Sequence, residues 1–117
     1  MRYSLAGLRR EVFRILQKEV AKIEVCPLHP HRGESERIAG KLYIKIDAGQ
    51  TRIDEAVVHE ILHDIADGFL TPHFRYGVYE WMIAGVEDRF FRNMSRRDYS
   101  RWRRAIRRKL VKSSLTI

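Results

Sequence analysis

The chain carries a single cysteine, Cys26, in 117 residues. An internal disulfide is therefore excluded, and this usage fits a reducing cytoplasm. Proline occurs only three times, and no repeat, low-complexity segment or linker interrupts the sequence. Uninterrupted apolar runs such as Ala56–Val58 are far shorter than the roughly 20 residues a membrane helix needs. Arg9 and Arg10 break the opening segment, so no secretory leader is expected. With 44% apolar and 32% charged residues the chain is not wholly disordered, and its length suits one domain with a modest core. Acidic residues are also scarce, at 15 against 23 Lys and Arg, giving a formal charge of +8. That excess invites a nucleic-acid reading, but it is unevenly placed. Residues 89–112 hold eleven Lys and Arg against Asp98 alone, while residues 1–88 are slightly acidic at −2.

Periodicity outlines the elements. Leu5, Leu8, Val12, Ile15, Leu16, Val20 and Ile23 recur every three or four positions, which predicts an amphipathic helix over 4–22. Residues 26–33 contain two prolines and a glycine and read as a loop. Lys41–Asp47 alternates with Leu42, Ile44 and Ile46 on one face, a half-buried strand that a short stretch at 23–25 can join. Thr51 and Asp54 form a capping box for a helix that should stop at Gly68. Two more helices are expected, at 77–93 and, capped by Ser95 with Asp98 three residues on, at 96–112. The expected architecture is one α+β domain over 1–117. Its small mixed or antiparallel sheet packs on the first three helices, with a core at about 4–94 and a basic helix and tail at 95–117.

The chemistry concentrates in His59-Glu60-Ile61-Leu62-His63. Helical residues i and i+4 share a face, so the two imidazoles project together and can bind one Zn²⁺ at about 2.0–2.1 Å. Glu60, about 100° round the helix from His59, flanks such an ion without binding it. It can take the proton of a water that zinc acidifies to a pKa of roughly 7. Val57, Val58, Ile61, Leu62 and Ile65 make the rest of this helix apolar. By average residue frequencies the five-residue pattern arises by chance in roughly one chain of this size in a few hundred. The plainer reading is a hydrogen-bonded pair of core histidines.

A tetrahedral catalytic site needs a third protein ligand. Phe69 stands where a metzincin places its third histidine, which excludes that class, and His73 lies beside Pro72 in a loop. The following helix offers Glu80 and Glu87, seven residues apart and so on nearly one face. In an antiparallel hairpin of helices Glu80 lies level with His63, and Glu87 lies beyond His59. Glu80 is the first choice and Glu87 the second, the other being a solvated side chain or a support for a ligand histidine.

His59-Glu60-Ile61-Leu62-His63 with a later helical glutamate resembles the gluzincin group of zinc metallopeptidases. The order of helix, strand, motif helix and glutamate helix is similar to their minimal soluble members, the minigluzincins, and to small metallopeptidase-like proteins of phages and mobile elements. The resemblance covers roughly residues 38–94. It implies an endopeptidase with His59, His63 and Glu80 on zinc and Glu60 as general base and acid. It also implies that the strand Lys41–Asp47 borders the cleft and pairs with an extended peptide. One departure is Ala84. Larger gluzincins often carry an acidic residue there, four positions after the ligand glutamate, so support for His59 must come from elsewhere. No oxyanion donor is assigned among His73, Tyr76 and Tyr79.

Other features have bland and sharp readings. Cys26, His29 and His31 form a C-x-x-H-x-H run that reads as a polar loop with a half-buried thiol, or else as a second zinc site or a thiolate latency switch. Trp81, Phe90, Phe91 and Trp102 are expected to pack between helices. The arginines of 96–112 read as a solvated face, or as a contact for nucleic acid, an anionic membrane or an acidic partner. Ser113–Ile117 is long enough to lie across a small cleft and hold an enzyme latent. The main expectation is a zinc metallopeptidase acting on peptide or protein substrates. The alternative is a catalytically weak or inactive zinc-stabilised regulatory module that contacts nucleic acid through its basic helix.

Overall fold

In a computed structural model of the protein, residues 5–70 and 76–112 are described, with side chains at 5–66 and 83–111. The elements are α1 (Leu5–Lys18), β1 (Val20–Cys26), β2 (Gly33–Ile38), β3 (Lys41–Asp47), α2 (Ile53–Leu70), α3 (Tyr76–Phe91), α4 (Arg96–Lys109) and β4 (Leu110–Lys112). The architecture is the expected α+β type with a mixed sheet. The strands lie in the order β2-β3-β1-β4, with β1 parallel to both β3 and β4 and β2 antiparallel to β3. Among the described residues no helix is long and apolar enough to cross a membrane.

The first helix is shorter than its apolar period suggests. It stops at Lys18, and Val20 and Ile23 turn into β1, where β-branched side chains suit an extended backbone. Two lysines distant in sequence satisfy the freed carbonyls. Lys41 Nζ donates to Lys18 O at 3.0 Å, and Lys109 Nζ donates to Val20 O at 2.8 Å and Gln17 O at 3.3 Å. The loop 27–32 then carries the chain past the position of β3. Asp47 anchors it by accepting from Leu28 N at 2.8 Å. That hydrogen bond, opposed by partial burial, holds the Asp47 carboxyl below the usual carboxylate range.

The core is one cluster. Val12, Ile15 and Leu16 of α1 and Ile23, Leu42, Ile44 and Ile46 of the sheet pack with Val57, Val58 and Ile61 of α2, Phe90 of α3 and Trp102 and Ile106 of α4. Each such side chain contributes about 1.5–3 kcal/mol on burial. Residues 110–112 leave the expected helix and add β4 to the sheet edge. The basic C-terminal region is thus built into the fold through Trp102, Ala105 and Ile106. Ser95 caps α4 as expected, accepting from Asp98 N at 3.1 Å. The capping box at Thr51 does not form. Helix α2 starts at Ile53, the carbonyl of Arg52 accepts from Ala56, and Asp54 turns its carboxylate to the hydroxyl of Tyr99 on α4.

A two-residue turn joins β2 to β3, with Ile38 opposite Lys41 and positive φ at both Ala39 (51°) and Gly40 (81°). Those angles belong to the type I′ hairpin, which favours Asn-Gly. Alanine is strained in the left-handed region, by roughly 1–2 kcal/mol. Ala39→Asn is therefore expected to raise stability by about 1 kcal/mol, read as a higher urea midpoint at unchanged slope.

Candidate metal centre

Helix α2 is buried along the side that faces the sheet, where Val57, Val58 and Ile61 are inaccessible to solvent. Its neighbouring face carries His59 and His63, which are half-buried. The i, i+4 spacing brings the rings together with centroids 4.6 Å apart and planes at 72°. Their Nε2 atoms meet at 3.0 Å. The other ring nitrogen of His59, Nδ1, lies 2.7 Å from Oε2 of Glu87 on α3, and both side chains are largely buried, at 16% and 13% exposure.

This chain of contacts has a direction. A carboxylate only accepts, so Nδ1 of His59 carries the hydrogen, and in the neutral ring Nε2 keeps its lone pair. That lone pair points at His63. The two rings form a hydrogen-bonded pair when His63 donates through Nε2, and a pair of ligands when His63 carries its hydrogen on Nδ1. Two nitrogens on one tetrahedral zinc lie about 3.3 Å apart, given Zn–N of about 2.0–2.1 Å. The observed 3.0 Å is within a small ring adjustment of that value. Two imidazoles with a carboxylate behind the first are donors of the kind zinc takes, and 3.0 Å is equally the length of a direct hydrogen bond between the rings.

Glu60 is the one buried charged residue among those described, at 8% exposure. It lies beneath the start of β2. A Cβ built on Gly33 would stand 3.5 Å from Glu60 Cγ, 3.2 Å from Ile46 Cδ1 and 3.0 Å from the carbonyl oxygen of Lys45. Further along, Arg37 of β2 forks onto Asp64, the residue after His63. Its Nε donates to Oδ1 at 2.8 Å and its Nη2 to Oδ2 at 2.7 Å, while Nη2 also lies 2.7 Å from Oε1 of Glu19. These bonds, led by the one to Asp64, push the Arg37 guanidinium still further above its usual range. Strand β2 is thus fastened along α2 at both ends.

The structure rearranges two expectations. Strand β3 cannot pair with a peptide, because β2 and β1 occupy both its edges. Among the described residues, the unpaired sheet edge beside the motif helix belongs to β2, whose residues are mostly exposed. Glu87 engages the nitrogen of His59 that faces away from His63. Glu80 lies on α3 with its side chain outside the described residues, as do the side chains of Tyr76 and Tyr79, while His73 and the segment 113–117 lie outside altogether. Among the described residues no three of His, Cys, Asp and Glu converge as metal ligands, the run Cys26, His29 and His31 included. Burial pushes the Cys26 thiol above its usual range. Arg37 and Asp64 carry no signal in the sequence, and Gly33, expected in the loop 26–33, instead opens β2. Arg37 and Asp64 are 27 positions apart and carry no local pattern, but a glycine opening a strand is a recognisable mark of close backbone approach.

Compared with known proteins, the chain matches no family model, no curated protein and no solved structure. The likeness to gluzincins therefore rests on the residues themselves. Because the Lys45 carbonyl cannot withdraw without breaking the hairpin, Gly33→Ala is expected to destabilise the protein by about 1–3 kcal/mol. Chemical denaturation of the two proteins checks this directly.

Proposed function

We propose that the protein is a zinc-dependent endopeptidase of the cytoplasm, with His59, His63 and Glu80 holding the ion and Glu60 as general base and acid. The observation that carries this reading is the convergence of the two Nε2 atoms at 3.0 Å with Glu87 fixed behind His59. Zinc, when bound, supplies Lewis acidity that brings a water's pKa near neutrality. The chain's own residues do the rest. Glu87 holds the Nδ1 hydrogen of His59, which fixes the tautomer and aims the lone pair. It thereby takes the supporting role for which position 84 offers only alanine. Glu60, beside this pair and shielded by Gly33, accepts the proton of the attacking water and passes it to the leaving amine. The edge of β2 offers unpaired backbone groups on which an extended peptide can add as a further strand. The fork of Arg37 onto Asp64 keeps that edge in register with the helix bearing the histidines.

One observation favours a second reading, a zinc-stabilised module without turnover. At 8% exposure Glu60 has little access to water or substrate. Substitution separates the two. Under the first reading the protein binds one zinc per chain and cleaves peptides, and Glu60→Gln lowers hydrolysis by about 10²–10⁴-fold with zinc retained. Glu80→Ala abolishes tight zinc binding, whereas Glu87→Gln weakens it by about 10–100-fold. Equal turnover of wild type and Glu60→Gln would leave only the second reading. Absence of stoichiometric zinc would remove both.

A further inference from the structure

Away from the histidine pair, α4 is an unusual helix. Its inward side buries Trp102, Ala105 and Ile106 and folds the amine of Lys109 onto β1. Its outward arc consists of Arg96, Arg97, Arg101, Arg103, Arg104, Arg107 and Arg108, all exposed, with Ser100 between them. No ion pair among the described residues engages any of these arginines. A side chain that stabilised the fold by charge pairing would have an acidic neighbour. Seven with no ion-pair partner among the described residues, and with only Asp54 and Asp98 nearby, create a concentrated positive field facing solvent.

We propose that this face of α4 binds duplex DNA through its phosphate backbone, independently of the peptidase reading. Arg97, Arg101, Arg104 and Arg108 follow each other at i, i+4, i+7 and i+11, a row about 16 Å long. One strand of B-DNA advances 3.4 Å of axis per phosphate and winds as it does so, and a row of this length meets about three consecutive phosphates of one strand. Arg96, Arg103 and Arg107 form a second row on the other flank of the arc. A groove of about 430 Å³ between α4 and α1, lined by Arg9, Arg10 and Arg101 together with Asp98, Phe13 and Met94, adjoins this strip. The major groove of B-DNA, about 12 Å wide, admits a helix and sets phosphates on both sides of it, whereas the A-form major groove of RNA is too narrow. Guanidinium forks also suit phosphate better than ammonium groups do, and all seven exposed cations of the arc are arginines.

Other polyanions fit less well. An anionic membrane is held by a helix that also presents apolar residues, and those of α4 are inside the core. Single strands are held by stacking on aromatic rings. Trp102 is 4% exposed, Phe13 lies under Arg101 at 5.1 Å, and Tyr99 lies under Arg103 with its hydroxyl on Asp54. An acidic protein partner would require an apolar interface centre, and the outward arc has no apolar residue.

The test is fluorescence anisotropy of a labelled duplex of about 20 bp, two helical turns, titrated with the full chain between about 50 and 200 mM salt. Wild type is expected to bind with a steep salt dependence. The variant R97Q/R101Q/R104Q/R108Q, with circular dichroism matching wild type, should lose at least about tenfold in affinity and show a log–log salt slope shallower by about 3.6. Should that variant fail to fold, R97Q/R104Q is expected to change the slope by about 1.8. The proposal is overturned if wild type does not bind at about 50 mM salt, if a folded variant binds like wild type, or if single strands, duplex RNA or phosphatidylserine vesicles bind more tightly than duplex DNA.

Discussion

The hydrogen bond from Nδ1 of His59 to Glu87 is the constraint on which the site depends. It selects one tautomer of one ring, and through that ring it decides where a lone pair points. Without the carboxylate, two imidazoles four residues apart on a helix would only be near one another. With it, Nε2 of His59 is turned to within 3.0 Å of Nε2 of His63. The bond also joins α2 to α3, so the packing of two helices and the orientation of the donor set are one problem. A shift of α3 along α2 would release the ring.

The sheet serves the same site from the other side. Gly33 lies so close to the carbonyl of Lys45 and to Glu60 that no side chain fits there, which lets β2 cover the glutamate. Arg37 then ties the far end of β2 to Asp64 by a paired hydrogen bond. Between these two fastenings the outer edge of β2, beside the motif helix, has no strand partner among the described residues. An edge of this kind is a liability in a protein with no use for it; here its short length and its charged residues Glu34, Glu36 and Arg37 limit self-association.

Much of this was legible in the sequence, for reasons that also explain what was not. The five long elements carry apolar periods of two or three to four residues, and the i, i+4 rule placed His59 and His63 together without any tertiary knowledge. Strand β2 escaped notice because Gly33–Ile38 is polar and exposed, so it carries no alternation. Strand β4 escaped because Leu110 continues the apolar period of α4. The end of α1 is set by Lys41 and Lys109, residues far away in the chain. The engagement of Glu87 with His59 depends on how α3 settles against α2, which Glu80 and Glu87, lying on nearly one face, do not determine by themselves.

The molecule thus keeps its charges apart, with a slightly acidic body that holds the histidine pair and one basic helix face turned outward. The central claim is that the two imidazoles are ligands to one zinc ion. X-ray absorption at the zinc edge, on protein loaded with one equivalent of zinc, tests it most directly. The account predicts a four-coordinate shell of nitrogen and oxygen at about 2.0–2.1 Å, with the outer-shell scattering of two imidazoles. A sulfur scatterer at about 2.3 Å, which would place the ion on Cys26, or a shell without imidazole, would contradict it.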